Sequence, residues 1–211
     1  MSYSDLVSHY ESCFDKHGDN HLGVDWPRKS DAINRYRVMT EIIRDRSRIS
    51  SILDFGCGAA HLYEFILDQK IDYIQYSGLD LSSKFISACK KKYPYLDFSC
   101  ADILSDQFEL PSYDYILLNG VFTEKLDISH EDMWNYLQKM LTTVYSSSRI
   151  GIAFNLMSKH VDWERDDLFH VSFDQISTFL SQQLTRHFII RHNYGLYEYT
   201  VYAYRNPDLL S

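Results

Sequence analysis

The sequence predicts an α/β domain in which helices cover both faces of one mostly parallel sheet. From residue 51 onward, short apolar segments typical of strands alternate with amphipathic segments typical of helices. The last two strand-like segments are separated only by a short turn around Gly195, which permits an antiparallel hairpin but no helical crossover. We therefore expect a doubly wound, seven-stranded sheet with an antiparallel C-terminal hairpin, preceded by N-terminal helices.

The hydrophobic period sets the expected elements in order. Residues 1–17 read as a helix and residues 17–27 as a loop; a second helix is expected from Ser30, a plausible N-cap, to about residue 46. Five strands are expected next, at 51–55, 73–79, around Phe98, 113–118 and 149–154. Helices are expected at 59–69, 82–93, 129–145 and 173–183, and the closing strands at 185–191 and 196–204.

Length and charge bound the class of protein. A chain of 211 residues fits one domain, which we take as residues 1–211, and either a monomer or a homodimer is compatible with it. Its 29 acidic residues against 21 lysines and arginines give a formal net charge of −8. That balance disfavours broad contact with a phosphate backbone, so we expect no long nucleic acid as a partner.

The cysteines and the N-terminus indicate a cytoplasmic protein. The four cysteines show no CxxC spacing, which argues against a zinc motif and a dense disulfide framework and favours reduced thiols. The first 20 residues are polar and charged, unlike a signal peptide. No apolar run approaches the roughly 18 residues of a membrane span.

Candidate ligand-binding residues follow the predicted strands. In open α/β sheets the ligand lies at the carboxyl ends of the strands, near the point where strand order reverses. The residues at those ends are Asp54, Phe55, Gly56 and Gly58 after the first strand, Asp80 and Leu81 after the second, Asp102 and Ile103 after the third, and Asn119 and Gly120 after the fourth.

The chemistry of these residue types suits an adenosyl ligand. Gly56 and Gly58 lack Cβ atoms, so a ligand can lie against their backbone. Asp80 can accept two hydrogen bonds from ribose hydroxyls, and an acid followed by an apolar residue, as in Asp102-Ile103, suits an adenine edge and ring face. Each feature alone also reads as an ordinary turn, helix cap or loop acid. The argument depends on all four falling at successive strand ends.

These segments resemble motifs of class I S-adenosylmethionine-dependent methyltransferases. ILDFGCGAAHL looks like their glycine-rich first motif, with Ala60 in place of a third glycine, and YSGLDLSSKFI looks like the second. CADI and YDYILLNGVF look like the third and fourth, and the YEYTVYAYR ending is similar to their antiparallel last strand. The resemblance implies a Rossmann-like fold, S-adenosylmethionine as cofactor and S-adenosylhomocysteine as product.

The resemblance also implies a role for each residue. Backbone at Phe55, Gly56 and Gly58 would face the methionine part, Asp54 its amino group and Asp80 the ribose; Leu81, Asp102 and Ile103 would form the adenine site, and Asn119 and Gly120 would lie beside the sulfonium. Similar methyltransferases commonly carry an N-terminal lid, so residues 1–48 are expected to form a helical lid and residues 49–211 the catalytic core. Within that lid, Arg35 could pair with the cofactor carboxylate.

Several alternatives remain at this stage. A nicotinamide dinucleotide site would need a glycine where His61 stands. Methyl transfer to a hydroxyl benefits from a general base, for which His61, His170 and His192 are candidates; no metal-ligand spacing is found. The favoured function is methyl transfer to a small soluble acceptor, at an oxygen of a sugar or metabolite. An RNA or protein methyltransferase, or a catalytically silent cofactor-binding partner protein, is the alternative.

Overall fold

A mixed β-sheet forms the centre of the computed structural model, which describes residues 3–105 and 108–208. Its strands are β1 (Ser50–Phe55), β2 (Ile74–Asp80), β3 (Asp97–Cys100), β4 (Tyr113–Leu118), β5 (Ser148–Ser158), β6 (His170–Val171), β7 (Phe188–Arg191) and β8 (Glu198–Tyr204). They are arranged in the order β3-β2-β1-β4-β5-β8-β7, and the short β6 pairs with β5 off this path. The neighbouring pairs β3–β2, β2–β1, β1–β4 and β4–β5 are parallel, whereas β8 is antiparallel to both β5 and β7.

Helices lie on both faces of the sheet, as the alternating pattern predicts. They are α1 (Tyr3–His17), α2 (Lys29–Thr40), α3 (His61–Asp68), α4 (Ser83–Lys92), α5 (His130–Ser147) and α6 (Phe173–Phe179), the last continued by one wide π-helical turn at Leu180–Leu184. No helix in the described parts of the chain combines the length and apolar character needed to span a membrane.

The expected mostly parallel sheet with its antiparallel C-terminal hairpin and N-terminal helices is confirmed. Differences concern boundaries and caps. The expected N-cap at Ser30 was wrong, because α2 begins at Lys29 with Arg28 as its N-cap and Ser30 lies inside the helix. The two-residue strand β6 was not expected, because two residues carry no periodic signal. Helix α2 ends at Thr40 rather than near residue 46, although Ile42 and Ile43 beyond it are buried and extend the apolar pattern. Residues 1 and 2 of the first expected helix lie outside the described residues.

Two apolar layers cover the two faces of the sheet. Neighbouring residues of one strand belong to different layers: Leu53 packs in the layer beneath α5 and α6, and Ile52 packs in the layer with α2, α3 and α4. The same alternation holds at Ile116 and Leu117 in β4. This is the period of two expected for strands buried on both faces.

The strand order reverses between β1 and β4, and α1 lies against the carboxyl end of the sheet there. Phe14 of α1 packs on Phe85 of α4 with ring centroids 4.9 Å apart. Glu11 of α1 accepts a 2.5 Å hydrogen bond from the hydroxyl of Ser82, which directly follows β2 and Leu81. The N-terminal helix therefore covers the place where open α/β sheets bind ligands.

Candidate active site

A first cavity, of about 160 Å³, lies at the point of strand reversal. Most of the predicted cofactor residues line it: Asp54, Phe55, Gly56, Gly58, Asp80, Leu81, Asn119 and Gly120. Helix α1 adds Leu6, Val7 and Tyr10, and the loop after it adds Val24 and Trp26. The structure thus brings together residues from three strand ends and covers them with the N-terminal segment.

The glycine turn after β1 makes a close backbone surface. Gly56 and Gly58 both have left-handed backbone, with φ of +73° and +50°. A Cβ at Gly56 would lie 2.9 Å from Val121, and one at Gly58 would lie 3.2 Å from Val24. Ala60, which replaces the expected third glycine, also has a positive φ, of 61°. Side chains would both strain this turn and fill the space in front of it.

Asp80 joins this turn to the second strand. Its Oδ2 accepts a 2.9 Å hydrogen bond from the Gly58 amide, and its Oδ1 accepts a 2.8 Å bond from the Ser82 amide. Burial raises the pKa of Asp80, and the backbone amides around it oppose that rise. Because each carboxylate oxygen can accept more than one hydrogen bond, Asp80 retains acceptor capacity for ligand hydroxyls.

Asp54 lies at the base of the cavity. Its side chain is only 3% exposed and accepts a 2.8 Å hydrogen bond from the hydroxyl of Tyr76. Burial, aided by the nearby charge of Asp80 and opposed by the Tyr76 hydrogen bond, raises the pKa of Asp54 to about 7. The carboxyl therefore changes protonation state near neutral pH.

An unpaired polar atom lies at the end of β4. The buried Oδ1 of Asn119 has no hydrogen-bond partner among the described residues. Next to it, the Gly120 amide donates a 2.7 Å hydrogen bond to Asn155. Gly120 has a φ of +81°, and a Cβ there would lie 2.7 Å from the ring of Trp26. A buried acceptor without a partner, next to a glycine that leaves space for a ligand, suits a ligand that donates a hydrogen bond to Asn119.

Three predicted cofactor residues do not line this cavity. Ile103 packs in the apolar layer beneath α5, and Asp102 Oδ1 accepts a 2.9 Å hydrogen bond from the amide of Leu104. Arg35 faces a second cavity, where it makes two-pronged contacts of 2.9 Å with Glu198. The expected pairing of Arg35 with a cofactor carboxylate is not what the structure shows, since a carboxylate of the chain already occupies its guanidinium.

The three candidate histidines lie apart. His61 lines the first cavity and its Nε2 is 2.8 Å from Asp19. His170 lines the second cavity, but its Nδ1 is 2.6 Å from the Ser158 carbonyl and its Nε2 accepts from the amide of Arg165 at 3.3 Å. His192 is exposed and lines neither cavity. The structure does not bring these histidines together as one catalytic group.

The second cavity, of about 560 Å³, adjoins the first, and Trp26 lines both. Its wall includes Glu124 after β4 and Glu198 at the start of β8, neither of which was predicted as a site residue. Burial and the neighbouring Asp25 raise the pKa of Glu124. The only signal for Glu124 in the sequence is its position shortly after β4, at the edge where the ligand site was expected.

Comparisons with known proteins find a methyltransferase domain in this chain. A family model described as a methyltransferase domain matches residues 53–145, from β1 to the C-terminal part of α5. The Mycobacterium tuberculosis protein named "Putative methyltransferase Rv1506c" is 26% identical over 156 residues, which cover 72% of this chain and 90% of that protein.

Solved structures share the fold across the whole chain. Magnesium protoporphyrin IX methyltransferase ChlM of Synechocystis PCC 6803, with bound S-adenosylmethionine, aligns with a TM-score of 0.64 and 15% identity over 98% of both chains. The N-methyltransferase NodS of Bradyrhizobium japonicum WM9, with S-adenosylhomocysteine, aligns with a TM-score of 0.62 and 15% identity over 95% of this chain and 98% of that one. At 15% identity, these two structures show that the fold is shared and nothing more.

A glycine turn and an acid at the switch point, in a sheet of this topology, are typical of nucleoside-binding α/β proteins. The methyltransferase domain that matches residues 53–145 and the relative named as a putative methyltransferase together support an S-adenosylmethionine-dependent methyltransferase, with S-adenosylmethionine as its cofactor.

Proposed function

We propose that this enzyme methylates a small polar acceptor held in the second cavity, and that the methylated atom is an oxygen of a sugar or other metabolite. The observation that carries the proposal is the position of that cavity, which shares Trp26 with the first cavity. Its volume of about 560 Å³ lies within the usual range for small-molecule sites. Charged groups of both signs line it, which suits an acceptor rich in hydroxyl groups.

The first cavity is the proposed cofactor site. Asp80 would hold the ribose hydroxyls, Asp54 the amino group of the methionine part, and the glycine backbone would lie along that part. Leu81 and Phe85, which line the same cavity, would pack on the adenine in place of Asp102 and Ile103. Bound S-adenosylmethionine supplies a methyl group already activated by its positive sulfur, so the main task of the protein is alignment.

The N-terminal segment is the proposed lid, with residues 1–48 over a core of residues 49–211. Helix α1 lines the first cavity and contacts the segment after β2 through Glu11 and Ser82. In this proposal α1 would lie over a cofactor bound in the first cavity. Of the candidate histidines, only His170 lines the acceptor cavity, and its occupied ring nitrogens favour a positioning role for it.

Acceptor screening with Trp163→Ala tests the proposed function. Trp163 lines the second cavity and is 74% exposed. A panel of hydroxylated and amine metabolites, assayed by release of S-adenosylhomocysteine, should yield a hydroxylated substrate. For that substrate Trp163→Ala should raise the KM about three- to tenfold, because an aromatic contact is lost. The affinity for S-adenosylhomocysteine should stay unchanged.

Tyr95→Ala is the matched control, since Tyr95 is also exposed, at 68%, and lines neither cavity. Methylation confined to amines would contradict the oxygen assignment. An unchanged KM in Trp163→Ala would remove the second cavity as the acceptor site.

Cofactor affinity should increase with pH up to about 7. Below the pKa of Asp54, which burial raises to about 7, the free enzyme carries a proton on that carboxyl. A bound ammonium group favours the ionised carboxylate, so binding should release this proton. As the pH rises toward 7, the dissociation constant of S-adenosylhomocysteine should fall by up to about tenfold per pH unit. Above pH 7 it should stay constant.

Calorimetry in buffers of different ionisation enthalpy measures the proton release directly. The Asp54→Asn variant keeps the shape and should show weaker binding with a flat profile over the same pH range. Asp80 is the neighbouring carboxyl with a raised pKa, and it remains in that variant. A pH profile that persists in Asp54→Asn would therefore assign the proton to a group other than Asp54.

A further inference from the structure

A cluster of potential metal ligands joins α1 to the edge of the second cavity. His9 and Cys13 lie one helical turn apart on α1, Asp25 lies in the following loop and Glu124 lies after β4. His9 Nε2 is 2.7 Å from Asp25 Oδ2, 3.5 Å from Glu124 Oε2 and 3.9 Å from Cys13 Sγ. The ligand atoms of His9, Cys13 and Asp25 all lie within 4.8 Å of one another.

Two carboxyl groups face one imidazole in this cluster. Asp25 and Glu124 line the cavity together, and no lysine or arginine of the described residues forms an ion pair with either. His9 is the basic group within ion-pair distance of both. Among the described residues, the buried Oε2 of Glu124 has no hydrogen-bond partner, and the nearest basic atom recorded for it is His9 Nε2 at 3.5 Å. A cation placed at this point would be attracted by both carboxyl groups.

A second cluster, of Asp19, His61 and Glu64, shows the contrast. There the ammonium group of Lys92 lies 2.8 Å from Asp19 and also contacts Glu64. That lysine already supplies the cation, so the Asp19 cluster needs none from outside. The cluster around His9 has no such lysine within the described part of the chain.

We propose that His9, Cys13 and Asp25 bind a divalent metal ion of the zinc type, with Glu124 beside its open coordination position. Imidazole nitrogen, thiolate sulfur and carboxylate oxygen are the zinc ligands of proteins, and sulfur and imidazole disfavour magnesium and calcium. Around a tetrahedral zinc ion, ligand atoms lie about 3.3 to 3.6 Å apart. The distances of 2.7 Å and 3.9 Å from His9 Nε2 fall on either side of this range, so small side-chain movements suffice.

Metal binding would fix the N-terminal segment in place. His9 and Cys13 belong to α1, which covers the cofactor cavity, whereas Asp25 and Glu124 line the acceptor cavity. A metal ion bound to them would couple closure of α1 to the shape of the acceptor cavity. This proposal does not depend on the identity of the methyl acceptor.

Cobalt titration of the full chain tests the site. After chelator treatment, Co²⁺ serves as a spectroscopic probe for zinc, because a cobalt–thiolate bond gives a charge-transfer absorption band. We expect one ion per chain, a band that Zn²⁺ abolishes, and loss of that band in Cys13→Ser. The affinity for Co²⁺ should fall at least about tenfold in His9→Ala. Cys100→Ser, which changes an exposed cysteine outside the cluster, should behave as the wild type.

Three outcomes would overturn the proposal: no Co²⁺ uptake by the wild type, a band that survives in Cys13→Ser, or an unchanged affinity in His9→Ala. Circular dichroism checks that each variant is folded, and Asp25→Asn provides the same affinity comparison if His9→Ala does not fold. The titration contains no cofactor and no acceptor. Failure of the proposed methylation would therefore leave its result intact.

Discussion

The Asp80→Ala variant should bind S-adenosylhomocysteine at least about 100-fold more weakly than the wild type. Two hydrogen bonds from ribose hydroxyls to a carboxylate contribute about 1.5 to 3 kcal/mol each. The same carboxylate holds the glycine turn through the Gly58 amide at 2.9 Å, so its removal also loosens the surface for the methionine part. Isothermal titration calorimetry measures this loss.

Two variants separate binding from folding in this experiment. Asp97→Ala removes an exposed acid from β3 that lines neither cavity, and its affinity should equal that of the wild type. Asp80→Asn keeps the volume of the side chain but loses the charge, and should lie between the wild type and Asp80→Ala. Unchanged affinity in a folded Asp80→Ala protein would refute the ribose assignment.

The Arg35→Ala variant should be destabilised by about 3 to 5 kcal/mol, a large share of the total stability of a domain. Glu198 is only 1% exposed, and Arg35 holds its carboxylate at 2.9 Å. The remaining donors are weaker: Asn155 at 3.1 Å and the Tyr194 hydroxyl at 3.4 Å. Without the guanidinium, a buried carboxylate is left unpaired, and Trp26 loses the cation stacked 4.1 Å from its ring centre. Urea unfolding measures the difference.

A surface pair provides the matched control for Arg35. Arg37 pairs with Glu41 on the exposed side of α2, and Arg37→Ala should cost about 1 kcal/mol or less. Replacing both members of the buried pair, as Arg35→Met with Glu198→Gln, should recover most of the loss, because no charge then remains buried. A loss in Arg35→Ala as small as that in Arg37→Ala would contradict the structural importance of the pair.

The fold could be predicted from the sequence because most elements are long and periodic. The boundaries of β1, β2 and β4 agree with the apolar segments to within one residue. The failures have local causes. The strand β6 is too short to show a pattern, and the apolar pattern of α2 runs on into Ile42 and Ile43, which are buried although the helix has ended.

The first cavity was predictable where a strand end fixes the position of a residue. Asp54, Asp80 and Asn119 line it because each lies at or directly after the end of a parallel strand, and those ends meet at one edge. Asp102 fails this rule, since the chain beyond β3 turns back on itself through the Leu104 amide.

Partners distant in the chain could not be predicted. Arg35 and Glu198 are 163 positions apart, and nothing in the local sequence indicates that the arginine pairs with a carboxylate of its own chain. His9 and Glu124 likewise meet only because α1 folds over the end of β4. Such contacts depend on the tertiary arrangement, which the hydrophobic period does not specify.

The crystal structure of the complex with S-adenosylhomocysteine tests the central claim most directly. We expect the adenosyl group in the first cavity, with both ribose hydroxyls on Asp80 and the amino group on Asp54. Density for the ligand at any other place, or a first cavity that stays empty after soaking at saturating ligand, would contradict the account.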